Sequence, residues 1–238
     1  MSGRMEATRT STRLRTERLE LRPVREEDVD WMLRYRNLPE VTRWLLRTEV
    51  DPASLRTRCQ AAAQDPDDQS MAVVLDDRVI GTVSLDLLDG MGQPGMPRRS
   101  EAQLGYTFDP AHSGHGYATE AVTAMVAYAF HRLGVRRITA GCFADNLASV
   151  RILEKVGMRR EQHGVGDSWH AELGWVDGYT YALLAEEWPS RTEGHEHARL
   201  RTRKALGSVA QFEQARVRGA QSAGALVEPH EVRLVVDM

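Results

Sequence analysis

Apolar residues recur at two spacings along this chain. Over 18–24 (RLELRPV), Leu19 and Leu21 alternate with charged residues as a half-buried strand requires, and Pro23 stops the run. Val29, Met32 and Leu33 follow at helical spacing, and Asp51-Pro52 opens a second helix predicted to run through Ala63. The stretch 70–76 (SMAVVLD) returns to strand. Asp76-Asp77, ahead of Arg78, makes a hairpin turn, and Val79, Gly81, Val83, Leu85 and Leu87 are expected on one face of the strand it leads into. Two helices therefore separate the first strand from an antiparallel pair.

The next stretch, 90–100 (GMGQPGMPRRS), has no periodicity and reads as a loop before a strand at 101–108 (EAQLGYTF). Ala118, Val122, Met125, Val126, Ala129 and Leu133 form one helical stripe that ends at Gly134. A strand at 136–143 (RRITAGCF) and a helix that Asn146 caps and Gly157 closes come after it. This strand, helix, strand, helix order implies a right-handed crossover and local parallel pairing inside an otherwise antiparallel sheet. Gly164 to Gly166 interrupts the last third, and 178–188 (GYTYALLAEEW) supplies the closing strand. The organisation is a flexible N-terminal arm (1–14), one mixed α+β domain (15–189) and a polar C-terminal tail (190–238), disordered or loosely helical. In that tail Leu200, Leu206, Val209, Phe212 and Val217 make a weak stripe, which leaves a partner-binding or membrane-surface helix as the other role.

Composition changes this picture little. Of 238 residues 42% are hydrophobic, enough for a core, and a net charge of −3 gives no reason to expect nucleic acid or an anionic membrane as a partner. Cys59 and Cys142 stand far apart and outside any Cys-x-x-Cys spacing, so neither a disulfide framework nor a zinc cluster is expected, and a reducing cytoplasm fits. Arg4, Arg9, Arg13, Arg15 and Arg18 have no apolar stretch after them, so the arm does not read as a signal peptide.

The stretch 112–121 (HSGHGYATEA) carries the chemistry. His112 and His115 lack the third ligand a zinc site needs, so no metal is expected. Small residues at Gly114, Gly116 and Ala118 let backbone N–H groups approach an anion, and a helix starting near Thr119 adds unpaired donors and partial positive charge. A diphosphate fits there, although any helix can begin on a glycine turn.

The order GYTFDPAHSGHGYATEA, helix, strand, ADNLASVRILEKVGM and YALLAEEW resembles the GNAT acetyltransferase superfamily, and within it the Rim-type ribosomal-protein N-terminal acetyltransferases. The resemblance runs from about residue 15 to 188. It implies a GNAT fold: a mixed, mostly antiparallel sheet splayed after its fourth strand, flanked by helices, with acetyl-CoA in the splay. It further implies that pantetheine pairs with the backbone of Tyr106, Thr107 and Phe108. The pyrophosphate is implied to sit on amides of Gly114, His115, Gly116, Tyr117, Ala118 and Thr119, and Asn146 and Ser149 to touch pantetheine and the sulfur. One departure is Ser113, where the family usually has Gln or Arg; His112 is a candidate to compensate. Another is Leu153, seven residues after Asn146, where many relatives place a tyrosine as general acid.

Ser149 therefore becomes the candidate group near the leaving sulfur, with Tyr179 and Tyr181 as substitutes, and Glu101 the candidate base, sharing a strand face with Gln103. Glu120 is expected to serve the helix dipole. Trp31, Trp44, Trp169 and Trp175 are expected in the core, with an acceptor groove as the alternative role. The expected activity is acetyl-CoA-dependent acetylation of a primary amine, foremost a protein or peptide N-terminus. A small-molecule amine such as an aminoglycoside, or a non-catalytic acyl-CoA-binding module, are the alternatives, and an oligomer is compatible with either.

Overall fold

The computed structural model describes residues 12–65 and 67–188. The tail from Pro189 and most of the N-terminal arm lie outside the described residues, and with them the tail's apolar stripe. Eight strands form one sheet in the order β1-β2-β3-β4-β5-β6-β8-β7. They are β1 (Leu14–Arg15), β2 (Glu20–Pro23), β3 (Met71–Leu75), β4 (Arg78–Leu88), β5 (Glu101–Phe108), β6 (Arg137–Phe143), β7 (Arg159–His170) and β8 (Gly174–Leu184). All neighbours pair antiparallel except β5 and β6, which are parallel. The strand at 101–108, expected as the fourth, is the fifth because β1 draws Leu14 and Arg15 onto β2.

Local chemistry sets the helix ends. Asp51 accepts from the Ser54 amide at 2.8 Å and Pro52 takes the first helical position, which starts the helix Pro52–Gln64. Together with Val29–Arg36 (α1) and Pro39–Thr42 (α2), this third helix (α3) lies on the N-terminal half of the sheet. Its Leu55 and Cys59 pack with Val29 and Met32 of α1 against Ala72 and Val79. The opposite face carries α4 (Tyr117–Tyr128) and α5 (Leu147–Val156), whose Val122, Met125, Val126 and Leu153 meet Val83, Leu85, Leu104 and Ile138. Those apolar contacts are the main stabilising term of the domain.

Three features depart from the pattern reading. Asp76 and Asp77 make the expected two-residue turn with positive φ at both (47° and 62°), but β4 then carries a bulge. Val79 pairs opposite Val74 and Gly81 opposite Val73, so Ile80 is extra and Val79 turns to the α1 and α3 side while Val83, Leu85 and Leu87 face α4. The helical stripe after Tyr117 is not uniform either: α4 passes into a π-helical turn, Ala129–Leu133, before Gly134 ends it at φ 71°. Finally, 159–170 is a long, mostly exposed edge strand with no apolar alternation, held by its pairing with β8.

The half-buried Asp86 on β4 gives this sheet a pH signature. Burial first, then the nearby charges of Asp68 and Asp65, push its carboxyl from 3.8 up to about 6. A carboxyl that holds its proton more tightly in the folded state stabilises that state less as pH rises from about 4 to about 6. Asp86→Asn is therefore expected to raise Tm by about 2–5 °C at pH 7, to change it little below pH 4, and to flatten the slope between. Thermal melts across that range check this; equal shifts at pH 3.5 and 7 would trace the effect to packing.

Candidate active site

The sheet opens between its two central strands. β5 pairs with β6 through Glu101–Gln103 against Arg137–Thr139, and β6 pairs with β8 over its whole length. Among the described residues no pair continues on the β6 side of β5 from Leu104 to Phe108, so backbone donors and acceptors there face a gap. Tyr106, Thr107 and Phe108 lie on this free edge. The Phe108 ring covers Gly81 so closely that a Cβ at that position would overlap it. Behind the edge, the fully buried Arg36 places its Nη2 3.3 Å from Thr82 Oγ1 and 3.5 Å from Thr107 Oγ1, a fixed positive charge on the α1 side of β5.

At the end of β5, Asp109 caps a single turn by accepting from the Ala111 amide at 2.9 Å, and Ser113 is extended. Gly114 and Gly116 follow, both at φ 80°, and α4 begins at Tyr117. These left-handed positions fold 113–117 tightly, which residues with a Cβ adopt only at a cost. The amides of Tyr117, Ala118 and Thr119 open the helix and have no intrahelical acceptor. Around them, His115 stacks on Tyr117 with ring centroids 5.5 Å apart, and the Arg18 guanidinium lies 4.6 Å from the centre of the Tyr117 ring. His112 lies beside Asp109, with Nδ1 4.0 Å from Oδ2.

Glu120 does more than oppose the helix dipole. Its carboxylate accepts from Thr16 Oγ1 (2.5 Å), the Arg18 amide (3.0 Å) and Arg18 Nε (2.7 Å). Burial pushes this carboxyl up, but the bonds from Thr16 and Arg18 and the Arg18 charge outweigh it and hold it below its ordinary value. Arg18, so anchored, donates from Nη1 to the His115 carbonyl at 2.8 Å. A cation thus stands beside the glycine turn. No local motif signals it, because about a hundred residues separate the partners.

Asn146 and Ser149 come together as expected. Asn146 Oδ1 accepts from the Ser149 amide at 3.1 Å, which starts α5, and Ser149 Oγ lies 2.8 Å from the Tyr106 hydroxyl. The side chain of Tyr106 is thus part of the site as well as its backbone. Period-two alternation could have shown this, since Ala102, Leu104, Tyr106 and Phe108 share the α4 and α5 face. Burial raises the Tyr106 phenol, and the Ser149 bond offsets only part of that rise, so the hydroxyl keeps its proton at neutral pH.

The remaining candidates are not brought to this point. Glu101 sits at the far end of β5, five residues and about 16 Å of strand before Tyr106. There it accepts from Arg136 Nη2 at 2.6 Å and lies 4.0 Å from Arg137 Nε, in the paired part of the sheet. Leu153 fills the core at 1% exposure, and Tyr181, equally buried, donates to Glu154 Oε1 at 3.2 Å. Tyr179 packs against His163 and under Arg160.

A cavity of about 300 Å³ opens where β6 ends, lined by Leu45, Leu46, Phe143, Trp169 and His170, among others. His170 is fully engaged: Nε2 donates to the Arg43 carbonyl at 2.8 Å, and Nδ1 accepts from the Glu172 and Leu173 amides. It therefore ties the β7–β8 hairpin to the segment after α2 and offers no free lone pair. Trp44 packs on Phe143 and His170, whereas Trp169 and Trp175 are exposed, not core. Trp31 stacks under Arg34.

An acetyltransferase (GNAT) domain model matches residues 18–159. The chain is 30% identical to the uncharacterized N-acetyltransferase p20 of Bacillus licheniformis over 74% of this chain and 97% of that one. Over 36% of its length it is 48% identical to the probable N-acetyltransferase YjcK of Bacillus subtilis, a match that spans less than half, 44%, of that relative. The fold is shared with RimJ of Mycobacterium smegmatis, solved in complex with CoA-disulfide, at a TM-score of 0.62 and 24% identity over 72% of this chain and 84% of that one. Because the domain model takes in the parted strands, the glycine turn and the Asn-capped helix together, the chain belongs to the GNAT acetyltransferase family.

Proposed function

We propose that this protein is an acetyl-CoA-dependent N-acetyltransferase acting on a primary amine, foremost the N-terminus of a protein or peptide. The observation that carries the reading is the free edge of β5 running directly into the glycine turn and the first amides of α4. An extended ligand with amide groups can pair along such an edge while its diphosphate meets a helix N-terminus, which is the shape of coenzyme A. Tyr106, Thr107 and Phe108 would hold the pantetheine, and the amides of 114–119 the pyrophosphate. Arg18, paired with Glu120 and bound to the His115 carbonyl, would hold that turn in shape.

Acetyl-CoA supplies the acyl group as a thioester. Backbone amides of the β5 edge offer donors to a carbonyl oxygen that gains negative charge, and the buried Arg36 adds positive potential from behind. Ser149 Oγ, held by the Tyr106 hydroxyl, donates a hydrogen bond to the departing sulfur, and the proton that completes the thiol comes from the attacking amine through water. With Glu101 bound to Arg136, the proton lost from the amine goes to water or leaves before the amine binds. The cavity at the end of β6 has room for a residue-sized group of the acceptor. The ribosomal-protein acetyltransferases that share this fold act on protein chains, in keeping with a peptide acceptor.

Thiol release from acetyl-CoA, followed by mass spectrometry of the acceptor, tests the reading against a mixed panel of peptides and small amines. Peptide acetylation is expected. Transfer to small amines alone would reassign the acceptor, and CoA binding without transfer to any amine would make the chain a binding module.

A further inference from the structure

Arg36 is a cation that the fold encloses and does not neutralise. It ends α1 at 0% exposure, and its Nη2 reaches only the neutral hydroxyls of Thr82 and Thr107, at 3.3 and 3.5 Å. Among the described residues its Nε and Nη1 have no acceptor, and no carboxylate pairs with it. Enclosing an unpaired charge weakens a fold, which points to a use for its field. Resting on the acetyltransferase reading above, we propose that Arg36 serves in place of a general base: its field at the β5 edge disfavours an ammonium there, so the acceptor amine is held in its neutral, nucleophilic form.

The groups around Arg36 leave that field standing. Burial pushes the Tyr35 phenol of α1 up to about 12 against the pull of Arg36, and raises the Cys59 thiol of α3, so both are neutral at pH 7. Arg58, which acts on Cys59 as Arg36 does, adds charge of the same sign. The carboxylates nearby have other partners. Asp28 is held by both Nη atoms of Arg22 at 2.7 Å, Asp68 accepts from the Ser70 amide, and Asp109, which acts on Tyr35 from the end of β5, accepts from the Ala111 amide. Across the gap, burial pushes the Cys142 thiol up to about 12, and Tyr106 keeps its proton. In the cavity wall the Glu172 carboxylate is offset by Arg43, 3.9 Å away.

Distance sets the size of the effect. A ligand pairing with the free edge of β5 as an added strand lies about 4.8 Å from it, so with the guanidinium just beyond Thr107 Oγ1 the reacting centre is roughly 9 Å from the charge. At an effective dielectric constant of about 20, a unit charge at that distance moves the titration of an amine down by about one pH unit. An α-amine, which titrates at about 8 in water, then reaches about 7 and is half neutral, whereas a lysine amine at about 10.4 stays almost wholly protonated. The arrangement therefore favours chain N-termini over lysines. In the transfer the amine lone pair forms the C–N bond, the C–S bond leaves its electrons on sulfur, and the N–H proton reaches that sulfur through water.

The test is the pH dependence of kcat and of kcat/KM for acetylation of a hexapeptide with a free N-terminus. In the unaltered protein the acidic limb of kcat/KM is expected at the free amine's value of about 8, and that of kcat about one unit lower, because kcat reports the bound state. A second peptide whose free amine titrates about one unit away should carry both limbs with it. A kcat limb that ignores the acceptor's amine would reveal a base on the enzyme and overturn the proposal without any variant. Arg36→Met and Arg36→Gln, the latter keeping a donor for the threonines, are each expected to raise the kcat limb by about one unit and leave the kcat/KM limb in place. The high-pH plateau of kcat falls by less than about tenfold, and circular dichroism confirms folding. A lowered plateau with an unmoved limb would confine Arg36 to the oxyanion, and a limb moved by Met but not by Gln would assign the effect to hydrogen bonding. Either overturns the proposal and leaves the acetyltransferase intact. Failure of the unaltered protein to acetylate either peptide overturns the underlying activity, and the role of Arg36 with it.

Discussion

Gly116→Glu is expected to lower acetyl-CoA affinity by at least about a hundredfold while the protein stays folded. Gly116 sits at φ 80°, where a residue with a Cβ is strained by about 1–2 kcal/mol. A carboxylate about 4 Å from a phosphate adds several kcal/mol more at an effective dielectric constant of about 20. The nearest atom to an added Cβ is Arg18 Nη2 at 3.6 Å, an ordinary contact, so bulk alone does not break the turn. Gly116→Ala isolates the backbone part and is expected to cost about tenfold. Calorimetry on both variants, with circular dichroism as control, decides. Wild-type affinity in a folded Gly116→Glu protein would remove the pyrophosphate from this turn.

The second large effect is on turnover. Ser149→Ala and Tyr106→Phe are each expected to lower kcat by about 10²-fold, with KM for acetyl-CoA changed by less than about threefold, since a bond to the departing sulfur strengthens only as the reaction proceeds. The two hydroxyls lie 2.8 Å apart and act as one unit, so the double variant should fall little further than either single one. Because burial keeps the phenol protonated, Tyr106→Phe should depress the rate evenly across neutral pH and not shift a limb of the profile. Additive losses would show that the residues act separately. A raised KM with normal kcat would make Ser149 a pantetheine contact.

Local signals in the sequence were enough wherever one residue fixes one piece of backbone. Asp51-Pro52, Asp76-Asp77, Asn146 and Gly157 each sit at the cap or turn their chemistry favours, and 101–108 is a strand from its first residue to its last. The resemblance supplied the splay, which periodicity alone does not show. What stayed hidden depends on distant partners. The polar run 159–170 becomes a strand only because β8 offers a ladder, the bulge at Ile80 only because β3 sets the register, and the Arg18–Glu120 clamp only after folding. Glu101 and Gln103 do alternate as expected, but alternation along a strand says nothing about position along it, and Arg136 claims the carboxylate. Trp169 and Trp175 misled for the opposite reason: their apolar surface suggested a core, but they pair at the outer end of a hairpin whose large buried apolar residues, Tyr181 and Leu183, lie at the other end.

Three residue pairs hold β5 to β6, and this narrow join has a consequence for how the domain breathes. Strands β1–β5 and strands β6–β8 are two leaves, sewn together along a short hem and, on one face, by the apolar core under α4 and α5. Subglobal opening along such a seam costs less free energy than complete unfolding. A ligand lying in the gap bridges both leaves and raises that cost by about 2.7 kcal/mol at a hundred times its Kd. In native-state hydrogen exchange, amides of 104–108 and 140–143 should therefore gain protection together on adding CoA, while β2 and β3 change little. Protection confined to β5 would mean that the ligand rides on one leaf and leaves the seam free to open.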